Sequence, residues 1–144
     1  MTEFNKIKGI GKNSEEVVFT MASGPVIVKD NKVLLDKHGE DDFWKFPGGK
    51  QNDNDSCKEN AIREVKEELN IDIKLLDNGS CVLIFERDKD GKKEYVVLIH
   101  YLAEIINGEP KSGRDVREFN WFEVNSLPED CAPNIRPVLK YFGY

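Results

Sequence analysis

Short runs rich in β-branched and aromatic residues recur along this chain, and two segments of helical character interrupt them. The runs occupy residues 17–22, 25–28, 32–36, 71–76, 81–86 and 94–105. Turn signals separate them at Asp30-Asn31, Asp77-Asn78-Gly79 and Asp90-Gly91, and the last of these is typical of a hairpin tip. The helical segments are residues 56–69 and about 135–142. Strands surrounding two helices predict an α/β sandwich, in which helices cover a mixed sheet.

The length, charge and cysteine content limit what the chain can do. Its 144 residues suit one domain, with about residues 1–15 as an N-terminal tail or edge strand. A net charge of −6 argues against broad binding to nucleic acid, because clustered Lys and Arg hold phosphate backbones. The scattered cysteines Cys57, Cys81 and Cys131 indicate reduced thiols in a cytoplasmic protein. The most apolar run, residues 95–106, is too short to cross a membrane.

The first helical segment concentrates negative charge on one edge. On a helical wheel Ala61, Ile62, Val65 and Leu69 share one arc, which we expect to be buried. The carboxylates of Glu64, Glu67 and Glu68 share the adjoining arc, where Glu64 and Glu68 repel each other as an i,i+4 pair. A hard divalent cation such as Mg²⁺ would offset that repulsion. The alternative is a solvated face, since glutamate is a good helix former.

A glycine-rich turn precedes this helix. In the stretch "WKFPGGK", proline presets one backbone angle and the glycines accept positive φ, so Pro47-Gly48-Gly49 predicts a tight turn. Such a turn brings bare backbone close to whatever the carboxylates hold. The fixed distance between turn and helix therefore favours a functional interpretation of the charged edge.

The spacing of these residues resembles the Nudix box. Gly49, Arg63, Glu64, Val65, Glu67, Glu68 and Ile71 match its pattern. Asp55 stands where the family has glutamate, and Asn70 stands where it has glycine. Asp55 keeps a carboxylate on a shorter arm, and Asn is the next-best residue for a left-handed helix end. The resemblance implies a Nudix-type α/β/α sandwich with a central mixed sheet and a loop-helix-loop catalytic motif.

The resemblance also implies an activity and a metal site. Nudix enzymes hydrolyse a nucleoside diphosphate linked to another group, by attack of water on phosphorus. By motif position the metal ligands would be Glu64, Glu67 and Glu68, with the Gly48 carbonyl as a further oxygen. The cofactor would be Mg²⁺, with Mn²⁺ as a substitute. Arg63 would orient a carboxylate of the box.

Further candidates lie outside the box. Lys50 is either a phosphate contact or a solvated charge, and Asn134 is either a purine contact or a helix N-cap. Asp115 is the first candidate outside the box for the general base and Glu118 the second, and each is equally well explained as a solvated acid. His38 and His100 show no metal-ligand spacing, and His100 lies in an apolar strand that favours a packed core histidine.

The substrate stays open at this level. The tail "APNIRPVLKYF" resembles the end of mutator-type nucleoside triphosphate hydrolases, which favours a small nucleotide such as a nucleoside triphosphate. One alternative is a catalytically silent Nudix-like nucleotide-binding module, although all three glutamates are present. Another is an RNA 5′-end pyrophosphohydrolase, which the acidic charge disfavours. Homodimers are common among similar proteins, and a homodimer is a further expectation.

Overall fold

The computed structural model describes residues 6–52 and 54–144, with seven strands and two helices in these ranges. The strands are β1 (Lys6–Ile10), β2 (Glu16–Lys29), β3 (Lys32–His38), β4 (Gly49–Lys50), β5 (Asp72–Lys89), β6 (Lys92–Asn107) and β7 (Val116–Glu123). The helices are α1 (Cys57–Leu69) and α2 (Ile135–Tyr141). The expected N-terminal tail or edge strand is in part β1, and residues 1–5 lie outside the described residues.

One mixed sheet organises the described chain. Its order is β5-β6-β2-β3-β7, and β1 and β4 also pair with β2. The pairing of β2 with β6 is parallel, whereas the other strand pairs are antiparallel. Strand β2 is therefore the centre of the fold, because four different strands contact its backbone.

The two helices cover opposite faces of this sheet. Val65 and Leu69 of α1 pack in a core cluster with Ile27, whereas Val138 of α2 packs in a second cluster with Val26. Neighbouring strand residues point to opposite faces, so the two clusters lie on the two sides of β2. This arrangement confirms the predicted α/β/α sandwich with a mixed sheet.

Both predicted helices are confirmed, and the ends of α1 follow the expected chemistry. The predicted burial of Ile62 is wrong, since it is 38% exposed at the border of the arc that buries Ala61, Val65 and Leu69. The Ser56 side chain accepts a hydrogen bond from the Glu59 backbone N–H at 3.1 Å, so it caps the first turn. Asn70 ends the helix in the left-handed conformation with φ of 58°, and its N–H donates to the Lys66 carbonyl. Asn thus serves where the family pattern has glycine.

The strand boundaries differ from those predicted. Residues 17–22 and 25–28 belong to one strand, β2, which continues through Gly24. Residues 71–76 and 81–86 also belong to one strand, β5, and Asp77-Asn78-Gly79 forms an irregularity there instead of a turn. Strand β7 was not predicted at all. In each case pairing with a distant strand overrides the local turn or loop preference.

Two predicted turns are confirmed. Asp30 and Asn31 have φ of 52° and 61°, and Asp90 and Gly91 have φ of 53° and 76°. Positive φ at both central residues is the geometry of a type I′ hairpin, which matches the twist of the joined strands. None of the described helices has the length and apolar character needed to cross a membrane.

His100 is a buried core histidine, as predicted. It is 6% exposed on β6, and its ring packs on Phe46 with centroids 4.9 Å apart. Burial lowers the pKa of His100 to about 4, because the charged ring would lose its hydration. The histidine is therefore neutral in the folded protein at neutral pH.

We expect Gly24→Ala to destabilise the fold by about 3 kcal/mol, because a new side chain would have to displace backbone. A Cβ at Gly24 would collide with the Pro47 carbonyl oxygen and lie 2.9 Å from Gly48 Cα. Gly9→Ala on β1 is the matched control, since its Cβ would meet side chains at an ordinary 3.5 Å. Urea unfolding measures both, and equal stability of the two variants would contradict the expectation.

We expect His100 to make the protein less stable as pH falls from about 6.5 to about 4. Between these pH values His100 binds a proton in the unfolded chain but not in the folded protein. This difference lowers the free energy of unfolding by about 3 kcal/mol at pH 4. His100→Gln cannot titrate. The difference in unfolding free energy between wild type and this variant should therefore shift by that amount between pH 7 and 4, and a constant difference would contradict the expectation.

Candidate active site

The glycine turn lies directly against the charged edge of α1. Gly48 has φ of 139°, and its backbone N–H donates to Glu68 Oε2 at 3.1 Å. A Cβ at Gly49 would lie only 2.7 Å from Glu64 Oε2, so glycine is needed for the close approach. The structure thus brings together the turn and two of the three predicted carboxylates.

Asn60 ties the helix, the turn and the central strand to one another. Its side chain is fully buried, and Nδ2 donates to Ser23 Oγ at 2.8 Å and to the Gly49 carbonyl at 3.2 Å. Ser23 Oγ in turn donates to the Cys57 carbonyl at 2.9 Å. Sequence analysis missed Asn60. The signal available was a polar residue beside Ala61 on the arc of the helix that faces the core.

Arg63 is fixed at the inner side of the edge. Its Nε donates to Asp55 Oδ2 at 2.6 Å, and Nη2 donates to Asn60 Oδ1 at 2.8 Å. The same guanidinium lies 3.2 Å from Glu64 Oε1 and 3.1 Å from Glu67 Oε2. The shorter arm of Asp55 therefore still pairs with the arginine.

A second arginine, Arg114, reaches the same carboxylates from the loop before β7. Its Nη2 donates to Glu64 Oε2 at 3.1 Å, and Nη1 lies 2.6 Å from Glu67 Oε2. Sequence analysis missed Arg114, because nothing local links it to residues about fifty positions earlier. Its adjacency to the predicted Asp115 was the only signal available.

Glu68 belongs to a separate, buried group with Asp36 and His38. Glu68 is 1% exposed and Asp36 is fully buried. His38 Nε2 lies 3.1 Å from Asp36 Oδ1 and 3.2 Å from Glu68 Oε2. No partner of His38 was predicted from the sequence, since β3 and α1 meet only in the tertiary structure.

The pKa values of this buried group are strongly shifted. Burial alone would lower the pKa of His38, but the carboxyl groups of Asp36 and Glu68 outweigh it and raise that pKa to about 9. Burial raises the pKa of Glu68 to about 7, against the opposing hydrogen bond from His38. A protonated histidine has no free lone pair for a metal, so at neutral pH His38 holds Glu68 in place instead.

The donor atoms on the edge of α1 are those that a hard divalent cation takes. Glu64 is 7% exposed and Glu67 is half-buried, and the carboxylate oxygens of each contact a guanidinium. Oxygen ligands with excess negative charge suit Mg²⁺ or Mn²⁺. The described residues whose ligand atoms lie within 4.8 Å of one another are instead Asp36, His38 and Glu68. The outer carboxylates, those of Glu64 and Glu67, fit the cation better, because one of their two counter-charges, Arg114, is an exposed side chain.

The other predicted residues lie at different distances from this edge. Lys50 is on β4, opposite Ala22 of β2. Asn134 makes no side-chain cap on α2, and its Nδ2 lies 3.3 Å from His100 Nε2 on the α2 face of the sheet. The N-cap interpretation of the Asn134 side chain is therefore wrong.

The two candidate bases are placed differently. Asp115 is exposed, has φ of 58°, and directly follows Arg114. Glu118 lies on β7, where Oε1 is 3.9 Å from Lys37 Nζ. Lys37 stacks over Trp44 of the α2-side core, so Glu118 points away from the α1 carboxylates.

A cavity of about 910 Å³ opens at the far ends of β2 and β6, among Lys29, Glu104 and Trp121. None of the predicted site residues lines it. The candidate chemistry therefore lies on the edge of α1 and the glycine turn, and not in this cavity.

Comparison with known proteins agrees with this geometry. The NUDIX domain profile matches residues 19–142. An ADP-ribose pyrophosphatase of Methanocaldococcus jannaschii is 33% identical over 83% of this chain and 70% of that protein. The m7GpppN-mRNA hydrolase of Saccharomyces cerevisiae is 33% identical over 72% of this chain, but the chain spans only 11% of its length.

Solved structures share the fold. The crystal structure of a MutT NUDIX hydrolase from Burkholderia pseudomallei superposes with a TM-score of 0.68, at 26% identity, over 85% of this chain and 96% of that one. A profile match over most of the chain and a glycine turn seated on the carboxylate edge lead to the same conclusion. This chain belongs to the Nudix family of hydrolases.

Proposed function

We propose that this protein hydrolyses a pyrophosphate linkage in a nucleoside diphosphate derivative, by attack of water on phosphorus. The observation that carries the proposal is the contact of the glycine turn with α1, where the Gly48 N–H meets Glu68 and Gly49 abuts Glu64. This contact gathers backbone and carboxylate oxygens along one edge of α1, where Glu64 and Glu68 are buried and Glu67 is half-buried. A pyrophosphate needs such a place, because its charge must be neutralised while water attacks.

Nudix hydrolases generally use divalent metals, and Glu64, Glu67, Glu68 and the Gly48 carbonyl would hold Mg²⁺ or Mn²⁺ here. The metal would neutralise phosphate charge and activate water. The protein's own contribution is positioning: His38 and the Gly48 N–H fix one oxygen of Glu68, and Arg63 fixes the direction of Glu64 and Glu67.

Asp115 is our first candidate outside the box for the general base. It lies on the loop that carries Arg114 to the carboxylate edge. Glu118 is the weaker candidate, since it pairs with Lys37 on the other face of the sheet. Lys50, at the end of the turn, is our candidate for a phosphate contact.

A nucleoside triphosphate is our favoured substrate class. The support is Asn134, whose amide makes no capping hydrogen bond and lies beside the ring of His100. An amide next to an aromatic side chain can both hydrogen-bond to a purine and border its ring. The relatives named for ADP-ribose and for mRNA caps make those ligands the necessary comparisons.

We expect hydrolysis to require a divalent metal and Glu67. Glu67→Gln should lower kcat at least about 100-fold, since it removes one charged oxygen ligand from the reacting site. Glu59→Gln, on the exposed first turn of the same helix, is the matched control and should leave kcat unchanged. The nucleotide products are separated by ion-exchange chromatography and quantified for nucleoside triphosphates, ADP-ribose, dinucleoside polyphosphates and capped RNA, with and without Mg²⁺.

Comparable turnover without any divalent metal, or full activity in Glu67→Gln, would contradict this mechanism. A folded wild-type protein that binds nucleotides but hydrolyses nothing in the panel would support a silent binding module instead.

We expect Asn134→Ala to raise KM for purine nucleoside triphosphates about tenfold, because a lost hydrogen bond to the base weakens binding before it affects the reacting phosphate. The KM for a substrate without a base, such as inorganic tripolyphosphate, should not change. Asn120→Ala is the control, because it removes an amide at an exposed position on β7. An equal KM change for both substrates would show that Asn134 does not contact the base.

A further inference from the structure

Two arginines, Arg63 and Arg114, both contact the outer carboxylates of Glu64 and Glu67. Glu64 is bracketed, with Arg63 at 3.2 Å from Oε1 and Arg114 at 3.1 Å from Oε2. Glu67 Oε2 also contacts both guanidiniums, at 3.1 Å from Arg63 and 2.6 Å from Arg114. The oxygens that would hold a divalent cation are therefore occupied by cationic nitrogen atoms.

The two arginines differ in how firmly they are held. Arg63 has anchors of its own in Asp55 and the buried Asn60, so its guanidinium stays in place without Glu64 or Glu67. Among the described residues, the guanidinium of Arg114 contacts only those two glutamates, and its side chain is 54% exposed. Arg114 is therefore the side chain that can leave the carboxylates.

The backbone beneath Arg114 is fixed. Its N–H donates to the Glu67 carbonyl at 3.0 Å, the Gly113 N–H donates to the Glu68 carbonyl at 2.6 Å, and the Lys111 N–H donates to the Leu69 carbonyl at 2.9 Å. These bonds satisfy the last carbonyls of α1, which would otherwise lack partners. The loop stays docked, so a displaced Arg114 guanidinium remains within one side-chain length of the edge.

The charges around Glu64 and Glu67 explain why the Arg114 side chain would leave these carboxylates. The carboxylates of Glu64 and Glu67 are each contacted by the guanidiniums of both Arg63 and Arg114. A divalent cation on Glu64 and Glu67 would compete with Arg114 for the same oxygens and repel its guanidinium. Rotation of an exposed side chain into solvent relieves that repulsion at little conformational cost.

We propose that Arg114 is an internal counter-cation, which holds Glu64 and Glu67 in the metal-free protein and yields them to a divalent cation. Once released, its guanidinium binds a phosphate group of the substrate at the same edge. A guanidinium suits this second role because its paired N–H groups match phosphate oxygens. The phosphate part of this inference rests on the proposed pyrophosphate hydrolysis, whereas the counter-cation part does not.

The decisive variant is Arg114→Gln, with Arg114→Lys as the conservative partner. Arg117→Gln is the matched control, because Arg117 follows on β7 but donates to the carbonyls of Gly39 and Asp41 instead. Mn²⁺ binding to the substrate-free proteins is measured by electron paramagnetic resonance. We expect Arg114→Gln to bind Mn²⁺ about three- to tenfold more tightly than wild type, and the control to match wild type.

The second measurement is binding of a non-hydrolysable nucleoside triphosphate analogue in saturating Mn²⁺. We expect Arg114→Gln to weaken it about tenfold, Arg114→Lys to restore part of the loss, and Arg117→Gln to leave it unchanged. General damage to the site would weaken the binding of both Mn²⁺ and the analogue. The inference requires instead that Arg114→Gln binds Mn²⁺ more tightly and the analogue more weakly.

Mn²⁺ affinity that is unchanged or weaker in Arg114→Gln would overturn the counter-cation role. Unchanged analogue affinity would overturn the phosphate role. Failure of the proposed function can be told apart from failure of this inference. In the first case wild type would hydrolyse no pyrophosphate linkage, but the Mn²⁺ affinities of wild type and Arg114→Gln would still test the counter-cation role.

Discussion

The close approach of the Pro47–Gly49 turn to β2 and α1 determines the geometry of everything around it. Gly24 and Gly48 leave no room for side chains between the two backbones, and the buried Asn60 bonds across to the turn and the strand. An amide satisfied on several sides in the core is costly to misplace, because each lost bond would leave a buried polar group without a partner. The start of α1 is therefore rigidly placed, and its carboxylates point to one location.

That location concentrates charge that an isolated helix would not tolerate well. Glutamates one turn apart destabilise a helix by a few tenths of a kcal/mol, and the protein offsets this with cations drawn from distant segments. Arg63 comes from the helix itself, His38 from β3 and Arg114 from the loop before β7. The negative charge at this edge is therefore paired within the protein, which distinguishes it from a solvated helix face.

The compensating cations are not equivalent. His38 is locked between two buried acids, and Arg63 is anchored by its own partners, so both act as fixed supports. Within residues 6–52 and 54–144, the guanidinium of Arg114 contacts only the carboxylates whose charge it balances. A site with rigid inner supports and one releasable outer cation can remain intact without metal and still accept one.

The sequence by itself determined α1, its caps, the tight turns and the Nudix spacing, because those features depend on residues within a few positions of one another. The helix boundary at Ser56, the left-handed Asn70 and the Asp90-Gly91 hairpin were all predictable for that reason. Only the tertiary structure decided that β2 and β5 are continuous, that β7 exists, and that Asp36, His38, Asn60 and Arg114 belong around the site. The contacts that His38, Asn60 and Arg114 make at the site join residues 30, 37 and 50 positions apart. Pairing and burial between distant segments leave no local periodicity or turn chemistry, so these features could not be predicted from the sequence.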